Sequence, residues 1–257
     1  MTMNATLCRA IFLDFDGVLF DTVREAYAVS MIALGRSARI VDVNFDSAHF
    51  EKFSRYRYLI GPAWNYYYLI RAIDEETLAS GNEVESEFRK SLGQWKEGEH
   101  RSFEENFFQT RNRLRESDRN GWLSLIVPYG MVDDVRTLLQ NHPEKFFMVT
   151  TRDRESVIHL LRLHRLEIPE DNIFAKEEYA VCNSKMEIIR SLISDRQIEK
   201  SMFIDDLEDH LAACKVVENL LPLQAMWGYV APDKKEDNSV NILKEIEKFI
   251  HGKNVWA

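Results

Sequence analysis

The most constraining feature of this chain is a short apolar run that ends in two carboxylates and a glycine. Residues 10–13 read Ala-Ile-Phe-Leu, and Asp14, Phe15, Asp16 and Gly17 follow at once. A run this short, bounded by a breaker, predicts a buried strand rather than a helix. Carboxylates at the end of such a strand are costly unless a cation meets them, and open α/β sheets bind their ligands at that end. The segment therefore predicts a divalent metal site.

The acid pair alone leaves more than one interpretation open. An apolar run followed by Asp-x-Asp is also found in nucleotide-sugar glycosyltransferases, where it holds a metal ion on a diphosphate. In a third interpretation the two acids only cap the next turn. A calcium loop of the EF-hand type is excluded, because the further acids do not stand at alternate positions before a glycine. Other segments of the chain are needed to distinguish these interpretations.

Composition narrows the class of protein. A chain of 257 residues with 45% hydrophobic content can bury a large core in one or two domains. Its net charge of −9 disfavours a nucleic-acid binder, although a small anionic substrate in a local basic pocket remains compatible. Cys8, Cys182 and Cys214 show no metal spacing and no disulfide framework, which predicts a reduced, cytoplasmic protein. We expect no signal peptide and no membrane span. The oligomeric state is left open.

The pattern after residue 128 alternates between strands and helices. Strands are predicted at 146–149, 173–174, 202–204 and 223–227. Helices are predicted at 131–139, 156–163 and 242–250, and a capping box at Ser184 and Glu187 opens another. Such alternation predicts parallel strands with right-handed crossovers, hence an α/β, Rossmann-like, doubly wound parallel sheet.

The stretch between the first strand and residue 128 has a different character. Residues 21–127 are charged, aromatic and helical in pattern, without a convincing strand. We therefore predict a core domain formed by residues 1–20 and 128–257, with an all-helical domain, residues 21–127, inserted into it.

The strand ends predict one shared site. Three predicted strands end in polar pairs, namely Asp14 and Asp16, Thr150 and Thr151, and Asp205 and Asp206. In a parallel sheet these ends lie on one edge. The helix opened by Ser184 begins on that same edge, so Lys185 in its first turn is expected to face the same small volume.

The residue types at this edge are those of phosphate chemistry. Mg2+ prefers oxygen ligands, which Asp14 and the second acid pair would supply. A carboxylate beside the metal can attack phosphorus, and Asp16 would protonate the leaving oxygen and later deprotonate water. Thr150 and backbone N–H groups at the start of the following helix would hold phosphoryl oxygens, and Lys185 would neutralise the developing charge.

The chain here resembles the haloacid dehalogenase-like hydrolase superfamily, whose four motifs match residues 12–19, 147–150, Lys185 and 203–206 in order. Residues 226–229, Met-Trp-Gly-Tyr, resemble a segment of its phosphoglycolate phosphatase-like branch. The resemblance implies that Asp14 is the nucleophile and Asp16 the acid/base, with the backbone carbonyl of Asp16 a magnesium ligand. It also implies that the helical insertion is a cap domain.

The resemblance implies a magnesium-dependent phosphatase that acts on a small phosphorylated metabolite, for example a sugar phosphate. Asp16 argues against a true dehalogenase, which lacks an acid at that position. A phosphonatase needs a cap lysine, and Lys52, Lys90 and Lys96 show no diagnostic context. A phosphomutase remains open, as does a binding or regulatory protein that keeps the fold without turnover.

Four departures from the family pattern modify these expectations. Asp205 stands where glycine is common, which favours Asp206 as the direct metal ligand and Asp205 as a supporting partner. His210 replaces the usual second Asp or Asn, so metal binding can be altered. Met186 follows Lys185 in place of proline. Thr151 and Arg152 replace the common Asn-Lys, which affects substrate handling more than the chemistry.

Four more residues complete the predicted site. Arg55 and Arg57, next to an aromatic run at 64–68, are predicted to read the leaving group of the substrate; the alternative is a cap core with solvated arginines. Arg152 either approaches the phosphate or is a surface arginine at a helix start. Gly17 is counted with the substrate-binding residues.

Overall fold

A computed structural model of the protein describes residues 9–78, 83–94 and 97–253. Seven strands are present in this part of the chain: β1 (Arg9–Leu13), β2 (Phe20–Asp21), β3 (Val127–Pro128), β4 (Phe146–Val149), β5 (Ile173–Phe174), β6 (Lys200–Asp205) and β7 (Leu220–Gln224). Five of them form one parallel sheet in the order β5-β4-β1-β6-β7, and β2 pairs with β3. The predicted α/β, Rossmann-like parallel sheet is confirmed.

The described residues contain twelve α-helices: α1 (Val23–Ala33), α2 (Ala48–Arg55), α3 (Asn65–Leu78), α4 (Val84–Gly93), α5 (Glu97–Ser117), α6 (Arg119–Leu123), α7 (Val132–Asn141), α8 (Arg154–Leu163), α9 (Lys176–Cys182), α10 (Lys185–Asp195), α11 (Glu208–Cys214) and α12 (Ser239–Ile250). None of these helices combines the length and the hydrophobicity needed to cross a bilayer.

The chain divides into two compact units. The first consists of the described residues up to Asp21, Pro128–Val230 and those from Lys234 onwards. The second consists of Thr22–Val127 with Ala231–Asp233. All strands of the five-stranded sheet belong to the first unit, and helices α1 to α6 belong to the second.

From Ala10 onwards, the central strand of the first unit, β1, is a continuous apolar run that is buried on both faces. Phe12 of β1 lies in register with Phe147 of β4 and Phe203 of β6, and all three are buried. Since alternate strand residues face the same side of a sheet, these rings share one face with Ala10. Helix α10 covers that face through Ile188, Ile189 and Leu192, together with Leu211 and Cys214 of α11. Helix α12 packs against β1 and α7.

The predicted strand at residues 223–227 is misplaced. Strand β7 begins at Leu220 and ends at Gln224. Pro222 lies inside it and argued against a strand, because proline lacks the N–H needed in a sheet ladder. The strand tolerates the proline because β7 is at the edge of the sheet, with β6 as its one neighbour in the sheet order.

The second unit is built on aromatic packing. The rings of Tyr27 and Phe53 have centroids 5.0 Å apart, Phe53 stacks on Tyr66 at 5.5 Å, and Tyr66 stacks on Phe107 at 5.4 Å. These rings come from α1, α2, α3 and α5, so the chain of contacts joins four helices. Offset aromatic pairs of this kind stabilise a core beyond the area they bury.

Candidate active site

The order of the strands brings the predicted polar pairs to one edge of the sheet. Asp14 is the first residue after β1, and its backbone N–H donates to the carbonyl of Ile204 at 2.9 Å. Thr150 follows β4 directly, and Asp205 is the last residue of β6. Because β1 lies between β4 and β6, the carboxyl ends of all three strands are neighbours.

Lys185 joins two of these strand ends. Its Nζ lies 2.8 Å from Oδ2 of Asp14 and 2.8 Å from Oδ2 of Asp205, and the side chain is buried. Lys185 is the first residue of α10, and Ser184 is the N-cap residue. The predicted capping box is wrong, since the Ser184 side chain accepts no cap hydrogen bond. The apolar face of α10 packed on the sheet positions the lysine instead.

Asp205 is fully engaged by protein donors. Oδ2 of Asp205 meets Lys185 and lies 3.0 Å from Nδ1 of His210, while Oδ1 accepts the backbone N–H of Leu207 at 2.8 Å. Burial alone would raise the pKa of Asp205, but Lys185 and His210 outweigh it and hold that pKa well below its usual range. Asp205 is thus held in its ionised form beside Lys185, and its predicted part in metal binding stays a prediction.

Asp14 has a less complete set of partners. Its Oδ1 accepts the backbone N–H of Phe15 at 2.7 Å, and its Oδ2 meets Lys185. Burial, helped by the nearby charge of Asp205, raises the pKa of Asp14 to about 6 even though Lys185 lowers it. For Lys185 the order is reversed: burial lowers its pKa, and the two carboxylates raise it above its usual range. Burial therefore makes the ionised form of Asp14 costly even beside the ammonium that it shares with Asp205.

Asp206 packs against the loop that carries Asp16. Its Oδ2 accepts the backbone N–H of Tyr229 at 2.7 Å. Gly17 has a φ of +82°, and a Cβ there would lie 2.0 Å from Oδ2 of Asp206. Only glycine satisfies both the left-handed backbone and this close approach. Trp227 adds a hydrogen bond from Nε1 to the carbonyl of Val18 at 3.1 Å, which holds the loop against the segment after β7.

The residues present fit a hard divalent cation. Within the described residues, Asp14, Asp205 and His210 form a group whose possible ligand atoms all lie within 4.8 Å of one another. We do not place the ion there, because the ammonium of Lys185 already lies between Asp14 and Asp205. Asp206, whose Oδ2 lies next to Gly17, is a further carboxylate at the end of β6, and oxygen donors are what Mg2+ prefers. Because burial raises the pKa of Asp14, a cation bound next to it would stabilise its ionised form.

Asp16 has a cationic partner of its own. Nη1 of Arg152 lies 2.9 Å from Oδ1 of Asp16, and the guanidinium is fully buried. The prediction of a surface arginine is therefore wrong. The backbone N–H of Arg152 donates to the hydroxyl oxygen of Thr150 at 3.2 Å, so the same residue orients the threonine. Thr151 is partly exposed beside them.

The start of α8 differs from what the sequence predicted. Its N-cap Asp153 accepts the N–H of Ser156 at 2.9 Å, and the N–H of Arg154 donates to Glu177 at 3.2 Å. These helix-start N–H groups are already hydrogen-bonded within the protein. At this strand end the hydroxyl of Thr150 is the better candidate to bind an oxyanion, because its oxygen accepts the Arg152 N–H and the hydroxyl still has a proton to donate.

The two predicted arginines of the helical unit have different surroundings. Arg57 is buried, donates from Nη1 to the carbonyl of Ile60 at 3.0 Å and lies over the ring of Tyr66. Arg55 is exposed, with its guanidinium 5.8 Å from the ring centroid of Tyr56. These contacts match the alternative of a cap core with a solvated arginine for these two residues. A role for either in reading substrate stays a prediction.

Several contacts of the site had no separate signal in the sequence. Tyr229 belongs to the 226–229 segment noted for its resemblance, but nothing local indicated that its N–H binds Asp206. The hydroxyl of Tyr229 also donates to Asp21 at 2.9 Å. Gly228 lies so close to Gly17 that a Cβ on it would be 2.2 Å from the Gly17 carbonyl oxygen. These contacts join residues far apart in the chain, which periodicity cannot detect.

Comparison with known proteins supports the fold. No family model matches the chain, and no curated protein matches it either. A solved haloacid dehalogenase-like family hydrolase from Streptococcus pneumoniae has a TM-score of 0.54 at 14% identity, covering 94% of this chain and 99% of its own. A Clostridium acetobutylicum protein described as a predicted phosphatase has a TM-score of 0.61 at 13% identity, covering 94% and 99%.

A third solved structure, from Haemophilus somnus, is described as a predicted phosphoglycolate phosphatase. It has a TM-score of 0.54 at 15% identity and covers 95% of this chain and 99% of its own. All three identities are low, so the likeness concerns the fold. The chain has the fold of solved haloacid dehalogenase-like hydrolases, with the polar ends of its central strands gathered at one edge of the sheet.

Proposed function

We propose that this protein is a phosphatase of the haloacid dehalogenase-like superfamily, which hydrolyses a small phosphate monoester with the help of Mg2+. One observation carries the proposal: Asp14, at the carboxyl end of the central strand, shares the buried ammonium of Lys185 with Asp205. Asp206 and Thr150 stand beside it on the neighbouring strands. The fold likeness supports the same class of reaction.

Asp14 is the nucleophile in this proposal. One of its carboxylate oxygens forms a bond to the phosphorus of the substrate while the bond between phosphorus and the ester oxygen breaks. The departing alkoxide takes a proton from the Asp16 carboxyl, and an aspartyl-phosphate remains on Asp14. A water molecule then gives a proton to Asp16 and attacks phosphorus, which releases inorganic phosphate and restores Asp14.

The other residues of the site act on charge and position. Lys185 stabilises negative charge on the transferring phosphoryl group, and Asp205 with His210 keeps the ammonium in place. The hydroxyl of Thr150 holds a phosphoryl oxygen. Asp14, Asp206 and the backbone carbonyl of Asp16 would hold Mg2+, which supplies electrostatic stabilisation of the phosphoryl oxygens when bound. The helical unit is proposed to serve as the cap domain.

Phosphate release from a panel of small phosphate monoesters tests the proposal. The wild-type protein is expected to release phosphate with MgCl2 and to lose that activity with EDTA. Asp14→Asn is expected to lower kcat by at least about 10³-fold, since an amide oxygen is a far weaker nucleophile. Asp133→Asn, at an exposed position of α7, is the matched control and should keep full activity. Absence of phosphate release across the panel, or equal rates for wild type and Asp14→Asn, would contradict the proposal.

A further inference from the structure

The partner of Asp16 is the feature that the proposed function leaves unexplained. A surface ion pair between an arginine and an aspartate would need no explanation, because exposed pairs contribute little. Arg152 is different, since its side chain is completely buried while the Asp16 side chain is 16% exposed. Burying a guanidinium is costly, and the cost is recovered only where the partner geometry is well defined. The complete burial of Arg152 beside Asp16 therefore indicates that the arginine has a defined role in this site.

The backbone of Arg152 is held on both sides. Its N–H donates to the Thr150 hydroxyl oxygen at 3.2 Å, and its carbonyl accepts the N–H of Lys176 at 2.9 Å. The guanidinium carbon lies 5.6 Å from the ring centroid of Phe15, the residue between Asp14 and Asp16. These contacts fix where the guanidinium can be, and so they fix the position of the Asp16 oxygen that it binds.

We infer that Arg152 is a positioning residue for Asp16: it acts on the reaction by holding the Asp16 carboxylate in place rather than by gripping the substrate phosphate. The inference rests on the proposed function and replaces the direct phosphate contact that the sequence suggested for Arg152. The guanidinium offers a planar donor group at fixed distance, which a lysine ammonium does not reproduce. Arg152, next to the Thr150 strand end, thereby holds Asp16, which lies on the loop that follows β1.

A kinetic double-mutant cycle separates the two roles. If Arg152 acts through Asp16, Arg152→Gln lowers kcat by about 10- to 100-fold with KM changed less than about threefold. In an Asp16→Asn background the same substitution then changes kcat by less than about threefold, because the Asp16 carboxylate that Arg152 holds is already absent. Arg152→Lys is expected to recover only part of the loss. A rise in KM that persists in the Asp16→Asn background would overturn the inference.

Two measurements that need no turnover complete the test. In the metal-free protein, the Tm shift of the Asp16→Asn/Arg152→Gln double variant is expected to be smaller than the sum of the two single shifts, as for groups in contact. Additive shifts would overturn the inference. Binding of inorganic phosphate with MgCl2, measured by calorimetry, is expected to weaken less than about threefold in Arg152→Gln, whereas loss of a direct phosphate contact would weaken it far more.

Controls keep this result separate from that of the proposed function. Arg154→Gln removes a neighbouring arginine that pairs with Glu178, so it should leave kcat, KM and phosphate binding unchanged. A wild-type protein without phosphatase activity would refute the proposed function, and the Tm cycle would still report on the pairing of Asp16 and Arg152. An active wild type with additive Tm shifts and a persistent KM effect would refute the inference alone.

Discussion

Two of the buried clusters among the described residues join acids to cations, and they differ in how completely the charges of their named members are matched. In the helical unit, both oxygens of Glu25 are hydrogen-bonded: Arg111 donates from Nε at 2.7 Å and from Nη2 at 3.1 Å, and Trp122 donates from Nε1 at 3.0 Å. One carboxylate meets one guanidinium, and all three side chains are buried. This cluster is neutral and its acceptors are satisfied.

The cluster at the sheet edge is not balanced. Besides His210, it contains four carboxylates, those of Asp14, Asp16, Asp205 and Asp206. Its two permanent cations are Lys185 and Arg152. Among these named groups the carboxylates outnumber the permanent cations by two, the charge of one divalent cation. Burial, helped by the nearby charge of Asp205, raises the pKa of Asp14. A buried cluster with matched charges stabilises the folded structure. A buried cluster with an excess of negative charge gains stability when it binds a cation.

The largest expected effect that separates the two clusters comes from removing the lysine. Lys185→Met leaves Asp14 and Asp205 facing each other without a cation, and we expect kcat to fall by at least about 10³-fold. Arg111→Met in the other cluster should lower the unfolding midpoint. At a temperature where that variant stays folded, its kcat should remain within about tenfold of wild type. Steady-state phosphate release measures kcat of both variants. A similar loss of kcat in the two would contradict the distinction between a functional and a structural cluster.

The next effect concerns stability. Glu25→Gln removes the carboxylate that Nε and Nη2 of the buried Arg111 contact, and we expect the free energy of unfolding to fall by about 3–5 kcal/mol. Urea unfolding followed by far-UV circular dichroism measures the change. Glu208→Gln is the surface control, because Glu208 pairs with Lys234 while both side chains are largely exposed, and it should lower the free energy of unfolding far less than Glu25→Gln does. Equal destabilisation in the two variants would contradict a structural role for the Glu25 cluster.

At Asp14 we expect a substitution to raise the stability of the protein rather than to lower it. In the folded protein burial raises the pKa of Asp14 to about 6 from its ordinary 3.8, so the folded state binds a proton more tightly and loses stability as pH rises through this window. The metal-free Asp14→Asn variant should therefore be more stable than wild type at pH 7.5, by about 2–3 kcal/mol, and nearly equal to it at pH 4. Thermal unfolding in EDTA at the two pH values tests this. A wild type more stable than Asp14→Asn at pH 7.5 would show that the excess charge has no cost.

The sequence could predict the sheet-edge cluster and not the buried pair in the helical unit. Asp14, Thr150 and Asp205 each end an apolar run, and a parallel sheet brings such ends together without any further information. Glu25, Arg111 and Trp122 are far apart in a helical region, where each looks like an ordinary surface or core residue. Nothing in local periodicity indicates that they meet, because their pairing depends on how α1, α5 and α6 pack.

The same limit explains the errors at the site itself. Local rules predicted a Ser184 cap and free N–H groups at the start of α8. The Ser184 side chain makes no cap hydrogen bond, and at α8 the N–H of Ser156 is bound by the local cap Asp153 and that of Arg154 by the distant Glu177. Arg152 was ambiguous because an arginine at a helix start is usually solvated, and only the fold places its side chain against Asp16. Strand ends could be predicted from the sequence, whereas the hydrogen bonds between them required the structure.

The most direct test of the excess charge is a calorimetric titration of metal-free protein with MgCl2. We expect the wild type to bind one Mg2+, Asp206→Asn to lose that binding, and His210→Ala to retain it, since Asp205 and His210 serve Lys185 rather than the ion. Absence of Mg2+ binding in the wild type would contradict the account. So would binding that survives in Asp206→Asn and disappears in His210→Ala, because the ion would then lie among Asp14, Asp205 and His210.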